Sequence, residues 1–183
     1  MSLRERFFGG EKNTVPQDVN KSAPETTINF IPTVIALVDY ENIAREAAAD
    51  GKIVDFAGLA ELCRSCGKVA ASFLFVPDHM TQDRWVREAY DQGFFVVSSP
   101  SRASLTVSVK QADTADTNMI SIGRRFSDII DGVVIVSNDR DFLTLVNDFK
   151  DKGKKIVLIH GAKVSPALRE VVKLRFPVPV RNR

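Results

Sequence analysis

Five short apolar runs constrain this chain more than any other feature: Val34–Val38, Val69–Val76, Phe94–Val97, Val133–Val136 and Ile156–Ile159. None alternates strictly between apolar and polar residues. Strands covered on both faces have that pattern. Between the runs lie stretches with helical spacing, predicted over Phe56–Cys66, Thr81–Gln92, Thr117–Phe126, Phe142–Lys152 and Ser165–Leu174. The last has a capping serine at Ser165 and a proline at its first helical position, Pro166. Strand and helix alternate throughout, so the expected fold is α/β: three α/β/α layers around a mostly parallel sheet of about five strands.

Ligands of such sheets bind beyond the carboxyl ends of the strands, so the residues that follow each run carry the interest. Val34–Val38 is followed by Asp39, Tyr40, Glu41 and Asn42; Val133–Val136 is followed by Ser137, Asn138, Asp139, Arg140 and Asp141. A further acidic pair, Asp113 and Asp116, precedes the third predicted helix. Taken singly, each acid is explained as a turn or helix cap. Taken together at one sheet edge they repel one another unless a cation is present. Hard oxygen ligands suit Mg²⁺ or Mn²⁺, and such an ion can hold a phosphodiester and activate water. Asp141 falls at a helix start, where an acid also suits the helix dipole, so both roles stay open for it.

Other chemistries find less support. The two histidines, His79 and His160, have no matching serine or cysteine arrangement, and no glycine-rich phosphate loop occurs. Cys63 and Cys66 form a C-x-x-C without a second ligand pair of zinc spacing. Cys63 is expected in the core and Cys66 near a helix end. Two cysteines fit a reducing compartment. No run reaches membrane-spanning length and the start lacks a secretory core, so a cytoplasmic location is expected.

The net charge is +2 and the hydrophobic fraction 44%, ordinary for a domain with a full core. Charge is unevenly placed: residues 151–183 carry +7, which leaves −5 for residues 1–150. A basic end suggests an anionic partner, although a solvated surface explains it as well. Residues 1–32, broken by Pro16, Pro24 and Pro32, read as a flexible leader; 33–177 read as the folded domain and 178–183 as a basic tail.

The segments "VIALVDYEN", "KQADTAD", "VVIVSNDRDF" and "KKIVLIHG", in this order, resemble the NYN family of PIN-like ribonuclease domains, and within it the bacterial LabA-like group. The resemblance spans residues 33 to about 177. It implies a metal-dependent endoribonuclease with Mg²⁺ or Mn²⁺ and an RNA partner. It places the family's acids on Asp39, Asp116, Asp139 and Asp141, with Asp39, Asp116 and Asp139 as metal ligands. Asn42, Ser137 and Asp113 take supporting positions, and Asp113 is an alternative to Asp116. Lys110 and Arg140 flank the acids and suit phosphate contact, or local neutralisation of the carboxylates. Arg102, Arg124 and Arg125 are further cations within the domain. Tyr40 suits base stacking or packing. Two departures stand out: no acid occurs among Met119, Ile120, Ser121 and Ile122, and Asn138 replaces a common glycine. They leave open a catalytically weak RNA-binding or regulatory protein. Assembly as a homo-oligomer is also left open.

Overall fold

The computed structural model describes residues 30–81, 84–100 and 114–183. Most of the expected leader, Arg102, Lys110 and Asp113 therefore lie outside the described residues. The architecture below belongs to the unit Ile31–Arg183.

The strands are β1 (Thr33–Asp39), β2 (Lys52–Val54), β3 (Lys68–Pro77), β4 (Phe94–Ser99), β5 (Gly132–Val136), β6 (Lys155–His160), β7 (Leu174–Pro177) and β8 (Val180–Asn182). The α-helices are α1 (Tyr40–Ala49), α2 (Phe56–Cys66), α3 (Trp85–Asp91), α4 (Thr114–Phe126), α5 (Leu143–Asp151) and α6 (Pro166–Val171). Single 3-10 turns cover Asp78–Met80 and Arg140–Phe142.

The central sheet has six strands in the order β4-β3-β1-β5-β6-β7, and β2 and β8 form a separate antiparallel pair. All ladders of the central sheet are parallel. About five strands were expected, and the central sheet has six. The sixth, β7, comes from a segment whose start has helical spacing. The helical pattern from Ser165 ends at Val171, and Leu174–Pro177 then pairs with β6 as an edge strand. Proline is tolerated at such an edge because its missing N–H need not face a partner. α1 is a further addition to the expected elements, since Tyr40–Ala49 has a weak apolar stripe with Tyr40, Ile43 and Ala47 buried.

The central strands β1 and β5 are buried on both faces, which explains their unbroken apolar runs: Val34 to Val38 and Val133 to Val136 have no exposed surface. Even-numbered positions of β1, Val34, Ala36 and Val38, face α1, α2 and α3. Ile35 and Leu37 face α4, α5 and α6. Gly123 lets α4 approach closely, because a Cβ there would lie 2.8 Å from Leu145 and 3.1 Å from Leu37. That contact fixes the height of α4, and hence of its first turn, over the sheet.

Candidate metal centre at the strand ends

From β1 the chain winds outward through β3 and β4, then returns to β5 on the other side of β1. The β1–β5 border is therefore the switch point where such sheets open a crevice. Val38 pairs with Val136, so the next residues, Asp39 and Ser137, emerge side by side. The Ser137 hydroxyl donates to Asp39 Oδ2 at 2.8 Å and accepts from the Asp139 N–H at 3.1 Å. One buried hydroxyl thus couples the ends of two strands 98 residues apart.

Both capping readings hold. Asp39 Oδ1 accepts from Asn42 N–H at 3.4 Å and starts α1. Asp139 Oδ1 accepts from Asp141 N–H at 3.0 Å and starts the 140–142 turn. A carboxylate has two oxygens, so a cap does not exhaust it. The first turn of α4 brings Asp116 to the same rim. Asp116, Asp139 and Asp141 place one carboxylate oxygen each within 4.8 Å of one another. At about 4 Å and an effective dielectric near 20, each pair of such charges repels by on the order of 4 kcal/mol, less where water screens them. A divalent ion offsets that repulsion, and an all-oxygen set of this kind suits Mg²⁺ or Mn²⁺. The structure groups Asp141 with Asp116 and Asp139, and sets Asp39 beside them through Ser137.

Behind the rim lies a polar hub that the sequence did not reveal. Asn138 is buried at 8% exposure. Its N–H donates to Asn42 Oδ1 at 3.3 Å and its Nδ2 donates to Glu46 Oε2 at 2.6 Å. Its Oδ1 accepts from Gly161 N–H at 2.7 Å, and its carbonyl accepts from Ser165 N–H at 2.9 Å. Glu46 Oε1 accepts in turn from Lys163 N–H at 3.0 Å. The residue that departs from the common glycine therefore ties α1, the β5 loop and the β6–α6 loop together. A Cβ on Gly161 would fall 2.1 Å from Glu46 Oε2, so only glycine fits that approach without displacing the carboxylate. Glu46 gave no signal in sequence, lying in a stretch where no helix was expected.

Arg140 is exposed and lines a cleft of about 430 Å³ with Asp139, Arg45 and Lys163. Arg124 is instead paired with Asp148 at 2.7 Å. Tyr40 is buried against Trp85 and Phe56. Cys63 and Cys66 are free thiols in the core and at the end of α2. Burial first, then the neighbouring Cys66, pushes the Cys63 thiol up to about 12; burial also raises Cys66. That is the opposite of a reactive or metal-binding thiol. No helix among the described residues is long and apolar enough to cross a membrane.

The NYN domain profile matches residues 33–177. The chain belongs to the NYN family. NYN domains fall within the PIN-like nuclease superfamily. Among solved structures, a Vibrio parahaemolyticus protein of unknown function superposes with a TM-score of 0.69 at 18% identity. The match covers 81% of this chain and 94% of that one, and it establishes the shared fold. No curated protein shows significant similarity to this NYN chain.

Proposed function

We propose that this NYN domain is a divalent-metal-dependent endoribonuclease that hydrolyses phosphodiester bonds of RNA in the cytoplasm. The observation that carries the reading is the convergence of Asp116, Asp139 and Asp141 at the β1–β5 switch point. These three carboxylates would hold Mg²⁺ or Mn²⁺. When bound, such an ion polarises the phosphate and lowers the pKa of an attacking water. Asp39 accepts hydrogen bonds from the Ser137 hydroxyl and the Asn42 N–H, which orient its carboxylate at the end of β1. On the same sheet edge, it is a further candidate ligand for that ion. Ser137 and Asn138 act as positioning residues, because they hold the backbone from which Asp139 projects. Arg140, exposed at the mouth of the neighbouring cleft, suits a substrate phosphate.

Labelled RNA incubated with the protein and Mn²⁺ tests this. Cleavage is expected from the native chain and loss of at least a hundredfold from Asp139→Asn and Asp116→Asn. Equal cleavage by native chain and variants refutes the reading. A second reading, RNA binding with little catalysis, is favoured by one observation. Two turns into α4, where family members often carry another acid, Met119 is buried and Ile120 and Ile122 pack on the core. On that reading RNA binds with a steep salt dependence and stays intact with either ion.

A further inference from the structure

Across α1 from the acidic rim lies a second cleft that the proposed reaction does not use. Asp39 and Tyr40 are consecutive, and their side chains serve opposite faces of the sheet. Asp39 bonds Ser137, whereas the Tyr40 ring lies 4.0 Å from Trp85, tilted by 30°, and 5.5 Å from Phe56. With Met80 these rings floor a cleft of about 440 Å³. That volume lies within the range of small-molecule sites, about 300–1,000 Å³.

Three features point to the occupant. The floor is aromatic, and Trp85 is only half-buried there. Partly exposed tryptophan rings are a common platform for stacking a base. Around the floor stand cations: Arg45, Lys52 and Arg183 line the same cleft. An apolar aromatic floor beside cations is the pattern that takes a base on one side and its phosphate on the other. Glu41 and Glu88, also at the margin, are already paired, Glu41 with Arg45 and Glu88 with Arg181. Those pairings reduce the carboxylates' repulsion of a phosphate; they also offset part of Arg45's charge, so Lys52 and Arg183 carry most of the attraction. Finally, one side chain of α1 borders both this cleft and the neighbouring one. Arg45 lines both this cleft and the one containing Asp139 and Arg140.

We propose that the Tyr40–Phe56–Trp85 cleft holds one unpaired nucleobase of an RNA strand whose backbone passes Arg45 to reach the acidic rim. The inference rests on the ribonuclease reading for its substrate, but its binding test does not need cleavage. It predicts that the enzyme selects single-stranded or looped RNA, because a base inside a duplex cannot enter the cleft.

Trp85 is the single tryptophan of the chain, so its fluorescence reports the site directly. The full chain is titrated in EDTA with AMP, GMP, CMP and UMP, and with ribose 5-phosphate. Saturable quenching by the nucleotides, with none from ribose 5-phosphate, is expected. Non-saturating quenching, or equal quenching by the sugar phosphate, overturns the proposal. For a labelled single-stranded RNA hexamer followed by anisotropy, Trp85→Ala is expected to weaken binding about 5- to 150-fold, the usual worth of one stacked base. Trp85→Phe retains most of the affinity, and circular dichroism confirms that both variants fold. Unchanged hexamer affinity in a folded Trp85→Ala variant also overturns it. Saturable quenching without cleavage by the native chain removes the ribonuclease reading and supports the base site; cleavage without quenching does the reverse.

Discussion

Replacing Asn138 by Asp changes one amide nitrogen to an oxygen and inverts one buried hydrogen bond. In the native chain Asn138 Nδ2 donates to Glu46 Oε2 at 2.6 Å. The amide cannot turn round, because its Oδ1 accepts from Gly161 N–H at 2.7 Å. Aspartate therefore sets carboxylate against carboxylate. The lost bond to a charged group is worth about 1.5–3 kcal/mol. The new repulsion is about 4 kcal/mol at an effective dielectric near 20, before relaxation. Glu46 is half-buried, so water screens part of this. A net loss of about 3–5 kcal/mol at pH 7.5 is expected, or about 10 °C in Tm for a domain of this size. Urea denaturation followed by Trp85 fluorescence measures it. At pH 4.5 the gap to the native chain narrows, since a proton on either carboxyl restores the bond. Adding Glu46→Gln swaps donor and acceptor: the Gln amide donates to the carboxylate introduced at position 138, and its oxygen still accepts from Lys163 N–H. The double variant is expected to recover more than half of the loss. A loss below about 1 kcal/mol, one equal at both pH values, or no recovery in the double variant refutes the hub.

The remaining expectations are simpler. Ser137→Ala removes the hydroxyl shared by Asp39 and Asp139 N–H, and costs about 1–3 kcal/mol together with cleavage rate; unchanged denaturation midpoints refute that bridge. Gly161→Ala drives a methyl into Glu46 and lowers Tm by several degrees, an effect that Glu46→Ala in the same chain relieves. Cys63 resists thiol reagents at pH 8 until the chain unfolds, as timed by labelling with and without urea. Because its folded value is raised from 9.0 to about 12, the associated stability is complete below pH 9.0 and is lost as pH rises toward 12. A denaturation series from pH 8 to 11 checks the sign.

Much of the fold was legible because strands buried on both faces cannot hide. The five runs correspond to β1, β3, β4, β5 and β6, each within a few residues. β2, β7 and β8 escaped because they are three or four residues long and half-exposed, so no apolar run marks them. The rim was legible in part. Asp39 and Asp139 stood out because each follows a buried run, and parallel register then places their strand ends together. Which three acids converge was not legible. It depends on the tilt of α4 over Gly123 and on the 140–142 turn, neither of which spacing specifies. Glu46 was invisible for a related reason: its partners, Asn138 and Lys163, lie 92 and 117 residues away. The aromatic cleft was half visible: Tyr40 directly follows Asp39, but its ring partners Phe56 and Trp85 come from other helices.

The placement of β1 has a consequence for when this protein becomes competent. β1 precedes the other described strands in the chain, yet it occupies the middle of the sheet, and one of its edges is filled only by β5. Until residues 132–141 have emerged, that edge lacks its partner strand, and Ser137, Asp139 and Asp141 are not free to reach it. Closing a separation of about a hundred residues is also slow compared with local structure. A chain still on the ribosome, or one cut short before β5, thus carries Asp39 and Asp116 but no assembled rim. On the ribonuclease reading, cutting capacity therefore arises only once β5 has paired with β1 and brought Asp139 and Asp141 to the edge.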